Sequence, residues 1–289
     1  MITIFTPTYN RANLLPRIYN SLKLQTNKNF EWLVVDDGST DNTECIFRNF
    51  MSEEKMPLRY YKKVNGGKNT AINMGVTFAK GEYILILDSD DRLTPDAIAF
   101  VSAELEKISR NDRIAGVAGR RIYENGCIVG RPILQTIVSN SLNIRYRHHI
   151  TGDLVEIFKT NVLKEFPFPE HENEKFCPEV LVWNRIAQQY DLVFTNKGFY
   201  ITEYLPGGIT DNMFNTLKES PIATTTTYAE LSGYDIPLWF RIRACINYWR
   251  YSFYLSDKFV SKFSRVNPLL SLIGLPTGAL MFIRDKTRR

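Results

Sequence analysis

Three carboxylates, Asp88, Asp90 and Asp91, follow directly on the apolar run Tyr83 to Leu87 in the stretch YILILDSDDRL. An apolar run of that length reads as a buried strand, so the acids stand together at its end and repel one another. Like charges in a dry site do not all stay ionised cheaply, and a divalent cation resolves the conflict. Mg²⁺ and Mn²⁺ take hard oxygen ligands and share them between one or two carboxylates and substrate phosphates. Asp88-Ser89-Asp90 sets two carboxylates near one such ion. Capping of the helix expected to begin at Thr94 explains one acid, not three. A calcium loop counted from Asp88 is excluded, because Leu93 and Ala99 stand where Gly and Glu are required.

Other strand ends carry matching tools. Asp36 and Asp37 can accept hydrogen bonds from a base or ribose, Tyr9 can stack on a base face, and Lys68, after Gly66-Gly67, can neutralise a diphosphate. No GxxxxGK(S/T) or GxGxxG pattern occurs, which argues against P-loop and Rossmann cofactors.

The elements that position these residues alternate. Strands are expected at 2–6, 31–37, 58–64 and 82–88, with helices at 11–26, 39–50, 69–81 and 93–108, the last with Thr94 as N-cap and Pro95 in its first turn. This alternation argues an α/β fold: a mostly parallel central sheet flanked by helices, with ligands beyond the carboxyl ends of the strands. TPTYN, DDGSTD, NGGKN and DSDD all lie at such ends. After residue 110 the pattern loosens. RIAGVAGRRIY and CIVGRPIL read as strands around an Asn125-Gly126 turn, 152–166 as a strand and short helix, and 177–190 as a helix with Pro178 at N1 and Glu179 at N2. Gly207-Gly208 offers a hinge for a lid or an ordinary surface turn.

Composition bounds the rest. The chain has 289 residues, 44% hydrophobic and 23% charged, enough for one large domain with an appendage. The N-terminus reads as a strand rather than a signal peptide, and four dispersed cysteines suggest neither zinc nor a disulfide framework, so a cytoplasmic setting is expected. The net charge of +5 is uneven: residues 241–289 hold ten Lys/Arg against two Asp/Glu, and the remainder is slightly acidic. That acidity disfavours nucleic acid as a partner.

The motifs TPTYNR, VVDDGSTD, NGGKNTAINMG and ILILDSDD, in this order and spacing, resemble glycosyltransferase family 2, inverting enzymes of the GT-A fold. The resemblance covers roughly residues 1–210. It implies a catalytic domain over 1–215, with a nucleotide-binding half (1–110) and an acceptor half (111–215), followed by a helical extension (216–289). It implies transfer of a hexosyl or N-acetylhexosaminyl group from a nucleotide-diphospho-sugar, most often a UDP-sugar, to a carbohydrate or lipid-linked acceptor, as in bacterial surface polysaccharide synthesis. Pro7, Thr8 and Tyr9 would line the base pocket and Asp37 or Asp36 contact the base. Arg11, Asn73 and Ser89 join the nucleotide-binding set with Lys68 and Asp88. Asp90 would ligate Mn²⁺ or Mg²⁺, with Asp88 near the ribose or the metal. Where many members carry Ala-Arg-Asn, this chain has Ala71-Ile72-Asn73, which leaves the charge work to Lys68. The family's catalytic base opens a helix, and the matching residue is Glu179, with Glu172 and Glu174 in reserve. His148 and His149 answer to an extra metal ligand used by some relatives, or to a basic surface beside Arg145 and Arg147.

Two rivals remain at this stage. A sugar-phosphate nucleotidyltransferase would want a Gly-rich N-terminal phosphate loop, which TPTYNR lacks. A non-catalytic nucleotide-sugar binder would be expected to have damaged acids, yet Asp37, Asp88, Asp90 and Glu179 are intact. The tail, 267–289, is apolar with basic ends. From Pro268 to Ile283 it is too short to span a bilayer (about 20 residues). Peripheral contact with the inner face of a membrane, or packing on the domain or in a homodimer, are its two expectations.

Overall fold

The computed structural model describes residues 1–203 and 212–287. Strand and helix alternate from the start: β1 (Ile2–Thr8), α1 (Leu15–Lys23), β2 (Phe30–Asp36), α2 (Thr43–Ser52), β3 (Leu58–Lys62), α3 (Lys68–Phe78) and β4 (Tyr83–Ile86). Then come β5 (Arg92–Leu93), α4 (Ala97–Ile108), β6 (Ile114–Ile122), β7 (Ile137–Ser139), α5 (Ser141–Tyr146), β8 (Leu154–Lys159), α6 (Thr160–Glu165), α7 (Glu179–Ile186) and β9 (Asp191–Ile201). The extension is helical: α8 (Met213–Glu219), α9 (Pro221–Gly233), α10 (Leu238–Ser252), α11 (Phe259–Phe263) and α12 (Pro268–Thr287).

One sheet runs through the domain in the order β3-β2-β1-β4-β8-β6-β9-β5, with β7 beside β9. Side chains alternate between its faces. Ile4, Trp32 and Val34 pack with Leu15, Ile18, Phe47 and Val101, under α1, α2 and α4. Phe5, Leu33 and Val35 pack with Ile72, Phe158 and Trp183, under α3, α6 and α7.

The expected α/β class holds, but the sheet is more mixed than a mostly parallel one. β1 to β4 pair in parallel because each is joined to the next by a crossover helix. β8 then enters antiparallel to both β4 and β6, and β9 returns parallel to β6. The expected strand in CIVGRPIL is reduced to a bridge between Ile122 and Ile128, because Gly130 and Pro132 break it. β7 and the long β9 were not anticipated. α4 begins at Ala97 with Asp96 as its N-cap, and α7 begins at Glu179 with Pro178 as its cap, each later than expected. The Gly207-Gly208 hinge lies outside the described residues.

The amino ends of the first strands are tied by one buried carboxylate. Glu31 accepts from the Thr3 hydroxyl (2.6 Å), the Lys80 N–H (2.7 Å) and Arg59 Nε and Nη2 (2.9 and 2.6 Å). Burial alone would raise the Glu31 pKa; these donors outweigh it and hold it below the ordinary carboxylate value. A group with a depressed folded pKa stabilises fully above its unfolded value, about 4.3, and loses that contribution as pH falls through the folded value. Glu31→Ala leaves three donors unpaired and should cost about 3 kcal/mol by urea denaturation at neutral pH. The gap between the variant and the parent should shrink in acid below about pH 4.

Candidate active site

The strand ends converge on a cleft of about 1100 Å³. Pro7, Thr8, Tyr9 and Arg11 line it from the β1 end, Asp37 from β2, Lys68 from the start of α3, and Asp88, Ser89, Asp90 and Asp91 from the end of β4. Glu179, the first residue of α7, lines it from the other half of the domain. Asn10 adopts a left-handed backbone (φ 51°) and laces two of the loops: its N–H donates to Ser39 Oγ, and its Oδ1 accepts from the Thr40 N–H, both at 2.8 Å.

The charges are matched one against another. Lys68 Nζ lies 2.6 Å from Asp88 Oδ1 and 2.8 Å from Glu179 Oε1. Arg121 Nη2 lies 3.2 Å from Asp88 Oδ2, and its Nη1 lies 2.9 Å from Asp91 Oδ2. The Arg121 guanidinium also stacks 4.5 Å above the Tyr200 ring, whose hydroxyl oxygen accepts from the Asp88 N–H. Burial opposes the charge on Lys68, but Asp88 and Glu179 more than offset it and raise its pKa. Burial likewise opposes the Asp88 carboxylate, but Lys68 and Arg121 hold its pKa far below the usual range. For Asp91, burial and the Asp88 charge prevail over Arg121 and push it up to about 6.

Not every expected residue has a hand free for ligand. Asp37 accepts from the N–H groups of Gly66 (2.9 Å) and Gly67 (2.7 Å), from Lys63 Nζ (2.7 Å) and from Asn65 Nδ2 (3.1 Å), which fills its acceptor positions. Asp36 is fully buried, accepts from the Ser39 N–H and the Tyr60 hydroxyl, and does not line the cleft. In this structure both acids order the loops. Asn73 is drawn away as well: its amide pairs with Phe168 N–H and C=O and with Glu170. Both Asp88 oxygens are held by cations, so Asp90, with Arg11 at 4.0 Å its one cation among the described residues, is the carboxylate with room for a metal. A single carboxylate suits a dication that draws its other oxygens from a diphosphate. Among the described residues no group of three or more His, Cys, Asp or Glu could hold a metal unaided.

Glu174 accepts from the N–H groups of Ile222 (2.6 Å) and Ala223 (2.9 Å), capping α9, which removes it from the reserve bases. Glu172, His148 and His149 are exposed and do not line the cleft. Sequence reasoning missed Arg121. Its signal was an Arg-Arg pair inside an otherwise apolar strand, where a buried charge implies a buried partner. It also missed the wall supplied by the extension: Met213, Leu217, Thr227, Tyr228 and Leu231 line the cleft. The expected division at 215/216 therefore runs through the cleft lining.

The profile of glycosyl transferase family 2 matches residues 3–160, more than half of the chain. The chain belongs to this family. It is 28% identical over 224 residues to an Escherichia coli protein named UDP-Glc:alpha-D-GlcNAc-diphosphoundecaprenol beta-1,3-glucosyltransferase WfgD, a match spanning 75% of this chain and 83% of that one. It is 42% identical over 107 residues to the Pasteurella multocida chondroitin synthase, but that stretch is 37% of this chain and only 11% of the synthase. A Rickettsia felis glycosyltransferase of uncharacterised role is likewise matched over 16% of its length. Among solved structures, Staphylococcus aureus TarS 1–349 in complex with UDP-GlcNAc superposes with a TM-score of 0.69 at 18% identity, covering 98% of this chain and 88% of that one. A Pyrobaculum calidifontis mannosyltransferase in complex with GDP-Man and Mn²⁺ gives 0.61 at 16% identity, covering 99% and 87%. These two likenesses establish the GT-A type of fold.

Gly67 fixes the Lys68 loop in place. Its φ is +96°, and a Cβ there would lie 2.0 Å from the Lys175 carbonyl oxygen. Gly67→Ala should leave the circular dichroism spectrum unchanged, yet lower the turnover of a nucleotide-sugar about a hundredfold by displacing Lys68, read by coupled nucleotide release.

Proposed function

We propose that the protein is a metal-dependent inverting glycosyltransferase that moves a sugar from a UDP-sugar to a hydroxyl of a carbohydrate or lipid-linked acceptor, in the synthesis of a bacterial-type surface glycan. One observation carries this reading. Lys68 joins Asp88 of the DSD motif to Glu179, so the charged end of a diphosphate and a carboxylate base fall within one side chain of each other. The WfgD likeness, which extends over most of both chains, favours UDP as the nucleotide and a lipid diphosphate as the acceptor type. A lipid diphosphate acceptor would place the reaction at a membrane surface.

The base stacks on Tyr9, which is 47% exposed, beside Pro7. Thr8 supplies a free hydrogen-bonding group there, since its buried Oγ1 has no partner among the described residues. Ser89 lines the same cleft and joins the nucleotide-binding set. Lys68 and Arg11 neutralise the diphosphate, and Asp90 would hold the Mn²⁺ or Mg²⁺. When bound, that ion takes up the negative charge that builds on the departing diphosphate. Glu179 accepts the proton of the acceptor hydroxyl while that oxygen bonds to the anomeric carbon and the bond to the diphosphate breaks on the opposite face. The extension helices α8 and α9 cover the acceptor side and keep water from the donor.

Glu179→Gln should bind UDP with Mn²⁺ as the parent does by calorimetry, and transfer roughly a hundred- to ten-thousand-fold more slowly. Retained turnover would move the base elsewhere. Stripping divalent ions with EDTA should stop transfer and Mn²⁺ should restore it; Asp90→Asn should then need far more Mn²⁺ for the same rate. A rate indifferent to EDTA would remove the metal from this account.

A further inference from the structure

Helix α12 is built inside out. Its inner face, against α10, is largely small and polar: Ser271, Gly274, Gly278 and Asp285 are buried there together with Leu270. Cβ atoms on Gly274 and Gly278 would lie 2.7 Å from Cys245 Sγ and from the Ile246 carbonyl oxygen, so both glycines are needed for the close approach. Ser271 Oγ accepts from Trp249 Nε1 at 3.0 Å, and Asp285 Oδ1 accepts from Arg250 Nη2 at 2.8 Å. Its outer face carries Leu269, Leu272, Ile273, Leu280 and Ile283, each between 53% and 75% exposed. A surface helix ordinarily turns such residues inward. Rotating α12 to hide them would drive leucines into a seam that admits only glycine, so the stripe is fixed outward. It is about 21 Å long at 1.5 Å per residue. Among the described residues no helix is long and apolar enough to cross a membrane.

The charge around the stripe identifies what covers it. Residues 241–289 carry ten Lys/Arg against two Asp/Glu. Both acids are already paired, Asp285 with Arg250 and Asp257 with Arg265. Arg284 and Lys286 are exposed at the carboxyl end of the stripe. A second copy of the chain would bring like charge against like, whereas an anionic bilayer offers the complementary sign with an apolar interior beneath it.

We infer that the outward stripe of α12 lies in the surface of an anionic lipid bilayer, with Arg284 and Lys286 on the headgroups. This names the partner that a lipid-linked acceptor requires, and so extends the transferase reading, but the docking can be read without any transfer. The orientation also follows: the basic extension faces the bilayer and the slightly acidic catalytic body faces away from it.

Flotation of the full chain with vesicles tests this. The protein should float with mixed phosphatidylcholine/phosphatidylglycerol vesicles and not with phosphatidylcholine alone. Leu272→Glu with Leu280→Glu, both at exposed positions, should lower the partition coefficient at least about tenfold. Arg284→Ala with Lys286→Ala should lower it about thirtyfold and flatten its salt dependence. UDP binding by calorimetry should be unchanged in both variants, so failure of the donor site and failure of docking are read separately. No flotation with anionic vesicles would overturn the inference. So would flotation insensitive to the two glutamates, or a dimer in sedimentation that those glutamates dissolve while vesicle binding stays absent.

Discussion

Burial of like charges governs the architecture of the cleft. Asp88, Asp90, Asp91 and Glu179 come together where strand ends meet the first turn of α7, and such a gathering is unfavourable unless cations are built in with it. Lys68 and Arg121 are those cations, each contacting two acids. The consequence reaches outward: Lys68 must start α3 at a fixed point, so Gly67 must pass against the Lys175 backbone, and Asp37 must gather the N–H groups of Gly66 and Gly67 beneath it. Arg121 in turn needs the Tyr200 ring under it, which draws β9 into register with β6.

This arrangement separates two jobs that one motif could be taken to perform together. Asp88 is saturated by protein cations and acts as part of the frame, while among the described residues Asp90 has a single distant cation. Asp37, at the cleft wall, and Asp36, away from it, both hold loops, while Tyr9 presents the open surface. A polar group whose acceptor positions are all filled by protein cannot also read a ligand without releasing something.

The extension is tied to the catalytic body by more than apolar contact. Glu174 caps α9, Arg185 pairs with Glu230, and Leu142 and Ala187 share a core with Leu231, Ile236 and Ala244. The same helical layer lines one wall of the cleft and carries the outward stripe of α12.

The amino-acid sequence alone determined the early elements and the cleft's charge, because apolar periodicity and strand-end acids are local signals that need no partner to be recognised. β1 to β4, the helices between them, the DSD motif and Lys68 were legible for that reason, whereas Glu179 was singled out by the family resemblance, which puts the base at the start of a helix. Tertiary structure alone decided the antiparallel entry of β8, the pairing of β7 and β9, and the role of Arg121, since each depends on residues tens of positions away. It also decided which acids remain open and which face of α12 looks outward. Saturation and exposure are properties of neighbours brought together by folding, and no spacing within one segment encodes them.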